Sequence, residues 1–166
     1  KKFGVIHLLL DIYEERSVKG KSLILKVGET DKETAHETYL LHKSVHLLVL
    51  SHDLILCRLR GVNEARYSAL WTSSFGTHVL SGEDYLSTLR MNGFDEDLNF
   101  SGEFRIDDTI ENEICGLFLL NVEKNYSKLN NGHQFLDLKT LERRIKEGKT
   151  TPHLEQSYKL WKRNGN

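Results

Sequence analysis

The order of apolar patterns along the chain predicts an α+β fold, layered α/β/α, with a mixed β-sheet between helices. Three observations carry this reading. Strand-like aliphatic segments separated by short polar breaks fill the first part of the chain; an almost unbroken apolar run of strand length lies at Glu113–Val122; helical spacing is confined to one short segment before that run and to the end. Val5–Tyr13 and Ser22–Val27, rich in branched aliphatics and separated by Lys19-Gly20-Lys21, predict two strands joined through a turn. Lys43–Leu50 and Leu54–Arg60 flank the polar break Ser51-His52-Asp53 and predict a hairpin. In its first strand Val45, Leu47 and Val49 face one side, and His42, Ser44 and His46 the other. Glu83–Met91 has amphipathic spacing through Tyr85, Leu86 and Leu89 and stops at Gly93, which predicts a short helix. The apolar run at Glu113–Val122 suits a central strand covered on both faces. Leu138–Gly148 reads as a helix, and Thr151-Pro152 starts another, with Thr as N-cap and Pro in the first turn.

The length of 166 residues corresponds to one domain, taken here as residues 1–166, and 39% hydrophobic content supplies a core. With 23 Lys+Arg against 24 Asp+Glu the net charge is −1, so no global cationic field exists to hold nucleic acid or an anionic membrane. No apolar run approaches the roughly 18 residues of a spanning helix. Cys57 and Cys115 are far apart and form neither a CxxC pair nor a disulfide framework, which places the chain in a reducing cytoplasm. Charge is uneven: Ser81–Glu123 holds eleven acids against Arg90 and Arg105, whereas from Leu138 onward eight Lys/Arg face three acids. Either both segments are solvated faces or the acids surround a cation.

Eight histidines invite a search for ligand sets. Glu111 and Glu113 stand two apart at the head of the central strand, so both carboxylates point to one face and repel unless a cation lies between them. His36 and His42, six apart, suit a loop leading into the hairpin, and His78 follows Gly76-Thr77 in a loop. Such a mixed nitrogen and oxygen set favours Zn, Mn or Fe over Ca. Surface histidines and paired strand acids are the competing reading. Arg58 and Arg60 alternate with apolar residues on the second hairpin strand, where they serve either phosphate or a solvated face.

The run Leu70-Trp-Thr-Ser-Ser-Phe-Gly-Thr-His-Val-Leu-Ser-Gly-Glu83 resembles the Gly-rich opening of a Nudix box, G-G-H-V-x-x-G-E. Ala35-His36, Leu40 to Val45, Ile110 to Cys115 and the tail from Asn131 through Thr151-Pro152 resemble segments of the isopentenyl-diphosphate isomerase branch of that superfamily. The resemblance runs from about Glu33 to Trp161, and Lys1–Lys32 matches only loosely. It implies a Nudix fold and a divalent metal, Mg, Mn or Zn, held at the positions of His36, His42, His78, Glu111 and Glu113. It also implies catalytic roles for Glu113 and the box Glu83, and a second cation-diphosphate contact at Asp95 and Glu96. Phosphate binding falls to Arg58 and Arg60.

The sequence departs from the pattern at identifiable places. The isomerase's essential Cys falls at Gly76, which counts against isomerisation as that branch performs it. Thr77 replaces a box Gly, the helix signature R-E-x-x-E-E reads Met91-Asn92-Gly93-Phe94-Asp95-Glu96, and the aromatic after Thr-Pro is His153. The implied function is a metal-binding enzyme acting on a diphosphate-containing small molecule, a nucleoside diphosphate derivative or an isoprenoid diphosphate. The alternative is a catalytically inactive domain used for ligand sensing or partner binding.

Overall fold

The structure, a computed structural model, describes residues 8–165. Strands β1 (Leu9–Val18) and β2 (Lys21–Asp31) form an antiparallel hairpin with a two-stranded sheet of its own. Lys19 and Gly20 turn it with φ of 51° and 77°, a left-handed conformation that Gly adopts without cost. The first residues of the expected Val5–Tyr13 strand lie outside the described residues. Asp31 closes β2 and caps helix α1 (Lys32–Glu37), its carboxylate accepting from the Thr34 amide. His36 therefore stands on a helix and not in the expected loop. Leu10, Ile12 and Ala35 form a small core with Leu40 and Leu80.

The main sheet runs β5 (Trp71–Thr72), β4 (Leu54–Leu59), β3 (His42–Ser51), β8 (Asn112–Asn121), β7 (Asn99–Asp107). Within it β3 and β8 are parallel and the other pairs antiparallel, so the sheet is mixed, as its patterns predicted. The apolar run in β8 lies between β3 and β7 and feeds both faces: Cys115 and Leu117 enter one core, Phe118 and Leu120 the other. The hairpin forms at His52-Asp53, with His52 at φ 53°.

On one face Leu48, Leu50, Ile55 and Leu117 pack against helices α3 (Leu138–Lys146) and α4 (Pro152–Arg163) through Leu141, Leu154 and Trp161. On the other, Val45, Leu47 and Val49 meet Leu89 of helix α2 (Tyr85–Met91) and Phe94. Thr151 caps α4 as expected, accepting from the Leu154 amide.

One edge of β3 serves two partners. Its last residues pair with β4, and Ser44–Leu47 pair with β6 (Phe75–His78). The Ser74 hydroxyl bridges the fork, accepting from the Val49 amide at 2.8 Å and donating to the Leu56 carbonyl at 2.5 Å. His78 thus ends a strand, where the sequence suggested a loop. Strands β7 and β9 (His133–Asp137), the latter beside β4, were also not anticipated.

Candidate functional site

The sheet register gathers the histidines and glutamates. Parallel pairing sets His42 of β3 beside Glu113 of β8, and antiparallel pairing sets Ser44 beside His78 and His46 beside Gly76. Glu111 precedes β8 in a turn held by Asp108, whose carboxylate accepts from the amides of Ile110 and Glu111. The α1 helix delivers His36 to the same point. The result is three imidazoles with ring centres 5.1 to 5.2 Å apart. His36 Nε2 lies 3.2 Å from His78 Nε2, and His36 Nδ1 lies 3.0 Å from Glu111 Oε2. His42 donates from Nδ1 to the Leu40 carbonyl at 2.8 Å, which leaves Nε2 as a lone pair directed inward, 3.9 Å from Glu111 Oε2.

Buried polar atoms ordinarily have hydrogen-bond partners. Here His36 Nδ1, His42 Nε2 and Glu111 Oε2 make no hydrogen bond of good geometry, although each atom is buried and the 3.0 Å approach of His36 Nδ1 to Glu111 Oε2 brings them onto one point. The ligand atoms of His42, Glu111 and Glu113 fall within 4.8 Å of each other, as do those of His36, His42 and His78. A divalent cation would complete these groups, and the nitrogen and carboxylate donors suit Zn or Mn better than Ca. Glu113 is 3% exposed, and its carboxylate is held well below the usual range: burial works to raise it, but the hydrogen bond with His153 and the neighbouring imidazoles of His78 and His42 outweigh that. Burial pushes the His78 imidazole down to about 3, so its uncharged, ligand-competent form prevails at neutral pH.

His78, Glu111 and Glu113 line a cavity of about 450 Å³ together with Ser73, Ser74 and Gly76 from the fork in the sheet. Arg58, Arg60 and Arg66 line it too. Arg66 Nε stands 2.9 Å from Glu111 Oε1, whereas Arg58 and Arg60 are turned to Glu64 at 2.8 and 3.6 Å. Three guanidinium groups beside a histidine and glutamate centre provide planar, permanently charged donors suited to phosphate oxygens.

The acids expected on the box helix do not join this group. Helix α2 contains no acid, and its capping box is made by Asp84 and Ser87. The Glu83 carboxylate accepts from the Ser87 hydroxyl at 2.7 Å and does not line the cavity. Gly93, at φ 89°, turns the chain away after α2, so Asp95 is exposed and Glu96 pairs with Lys128 at 2.8 Å, both outside the cavity lining.

Two further histidines belong to the site. His46 and His153 stack with ring centres 4.9 Å apart, and His153 Nε2 lies 3.2 Å from Glu113 Oε1. Their presence explains Gly76: a Cβ built there would fall 2.5 Å from His46 Cε1 and 2.6 Å from Nδ1. The His46 ring fills the space that a cysteine side chain at position 76 would need. Only the period-two placement of His46 on the face shared with His42 signalled this in the sequence.

No protein-family model and no curated protein matches the chain. Solved structures do. The protein DR0079 of Deinococcus radiodurans is similar at a TM-score of 0.66 and 17% identity, covering 93% of this chain and 98% of that one. A NUDIX hydrolase from Nitrosomonas europaea is similar at 0.53 and 13%, with 74% and 88% covered. A bifunctional NMN adenylyltransferase/ADP ribose pyrophosphatase from Francisella tularensis, in complex with AMP and a Mn ion, is similar at 0.53 and 16%, with 74% and 41% covered. The chain has the Nudix hydrolase fold.

Proposed function

We propose that the protein is a metal-dependent Nudix-type enzyme acting on a small molecule that carries a diphosphate, with a nucleoside diphosphate derivative as the substrate class. One observation carries the reading: buried ligand atoms of His36, His42 and Glu111 that make no hydrogen bond converge beside a cavity lined by three arginines. His36, His42, His78, Glu111 and Glu113 would hold the cation, which when bound supplies Lewis-acid stabilisation of phosphate oxygens. Arg58, Arg60 and Arg66 orient and neutralise the diphosphate. The cavity has the size of a small-molecule site, and most of the residues that line it are polar, with Tyr67 and Phe75 adding aromatic rings. That composition favours a sugar or nucleoside over a prenyl chain. The Francisella relative, an ADP ribose pyrophosphatase in complex with AMP and Mn, supports the same class.

A second reading rests on α2: a helix without acids and an engaged Glu83 favour a domain that binds such a ligand without cleaving it. Incubating the tag-free chain with ADP-ribose and Mn²⁺ or Zn²⁺ separates the two. The enzyme reading expects product that disappears in Glu113→Gln with the fold intact. A rise in melting temperature without product supports the binding domain, and neither response would sink both.

A further inference from the structure

We propose that Glu113 is a bridging carboxylate, and that His46, His153, Glu113 and Cys115 form a second cation site directly beside the first. The proposal rests on the metal centre described above for its neighbour, and on separate residues for itself. The ligand atoms of these four side chains all lie within 4.8 Å of one another, and each residue is at most 7% exposed. Glu113 is common to this group and to the group of His42 and Glu111.

The local hydrogen bonds prepare the donors. The Ser73 hydroxyl donates to the Phe75 carbonyl at 3.3 Å, so at 2.7 Å it accepts from His46 Nδ1. His46 Nε2 is then an unprotonated lone pair, oriented by a partner on the ring's other nitrogen as is usual for metal-bound histidine. Period-two geometry puts Cys115 on the same face of β8 as Glu113, and the Thr151 cap starts α4 so that His153 arrives opposite. Ligands bonded at ~2.0–2.2 Å to a tetrahedral ion are separated by roughly 3.3–3.6 Å. The 3.2 Å between His153 Nε2 and Glu113 Oε1 is close to that edge.

Gly76 and His153, two of the places where the sequence leaves the family pattern around the cavity, are both needed here. Gly76 admits the His46 ring, and His153 supplies the opposing nitrogen. A set of two imidazoles, one carboxylate and one thiolate is softer than the His/Glu set beside it and selects Zn²⁺. Two cations sharing a carboxylate, about 3.5–4 Å apart, are a familiar arrangement for binding phosphate oxygens.

The test is zinc content of the tag-free full chain after chelator stripping and equilibration with Zn²⁺, alongside His78→Ala and His153→Ala variants. The expected result is two zinc ions per wild-type chain and one in each variant. Co²⁺ substitution gives a second readout on the unaltered chain: a thiolate-to-cobalt charge-transfer band in the wild type and in His78→Ala, lost in Cys115→Ser. One zinc per chain, lost in His78→Ala, retained in His153→Ala and without a thiolate band, overturns the second site and leaves the first standing. A wild type that takes up no zinc overturns both. Should His153→Ala fail to fold, absence of the thiolate band from the wild type alone refutes the assignment.

Discussion

Replacing Gly76 by Ala in metal-free protein tests whether the His46 ring occupies the space above that residue. The new Cβ would stand 2.5 Å from His46 Cε1, whereas ordinary carbon contacts are about 3.5–4.0 Å, so the ring must retreat by roughly 1 Å. His46 is only 7% exposed and is held to Ser73 at 2.7 Å, so retreat also strains that hydrogen bond. Overpacking of this kind costs ~1–3 kcal/mol. Gly76 has no positive φ, so its backbone poses no barrier to alanine. With His46→Ala in place the obstruction is gone, and Gly76→Ala should then be neutral or stabilising by up to about 0.5–1 kcal/mol, the usual gain over Gly within a strand. Urea unfolding of the four proteins closes a double-mutant cycle with an expected coupling of about 1–3 kcal/mol. An equal cost for Gly76→Ala in both backgrounds would refute the steric account.

Chelation of bound metal should lower the melting temperature: saturation at 100 times Kd contributes ~2.7 kcal/mol, or roughly 5–11 °C at this size, and an unchanged transition contradicts a resident ion. Glu64→Gln should release Arg58 and Arg60 toward the cavity and tighten inorganic pyrophosphate several-fold by calorimetry; unchanged or weaker binding would show that Glu64 organises the pair for ligand. Burial pushes the Cys57 thiol up to about 12 from 9.0. The folded chain keeps a proton that the unfolded chain releases, so this group's contribution falls as pH rises above about 9, by ~1.4 kcal/mol per pH unit up to about 12. Urea midpoints from pH 8 to 11 should therefore decline less steeply in Cys57→Ala, and parallel declines would exclude the effect.

The legible parts of the fold were those written in local pattern. The alternation of Val45, Leu47 and Val49 against His42, Ser44 and His46, the apolar run in β8 and the Thr151-Pro152 cap each specify an element within a few residues. Helix α1 was missed because its six residues span under two turns, too few for a period to emerge, while its Asp31 cap follows a strand directly. Strand β7 mixes Gly102 and a register shift into its pairing, which blurs its alternation. In the candidate site, the set of His36, His42, His78, Glu111 and Glu113 rests on the resemblance, since their convergence depends on parallel and antiparallel pairings that no local pattern encodes. Asp95 and Glu96 lie away from the cavity lining because gap-free counting assumes a helix continuing past Gly93, where the chain turns. His46 was placed on the site face without a role, and its meaning emerged only where its ring met the missing Cβ of Gly76.

The β1–β2 hairpin and α1 rest on a separate small core of Leu10, Ile12 and Ala35, while Leu23, Ile24, Leu25 and Val27 remain exposed. Among the described residues, backbone bridges from Leu10 to Leu80 and from Tyr13 to Leu41 tie the hairpin to the rest, with side-chain links from Ser81 to Glu29 and from Arg105 to Glu15. A segment on so small a core is expected to open at a lower free energy than the main sheet, and hydrogen exchange would read this as amides of β1 and β2 exchanging before those of β3 and β8. His36 travels with it. The histidine cluster therefore joins two residues of the main sheet to one carried by this smaller unit, and an opening of that unit alone would withdraw one imidazole from the other two.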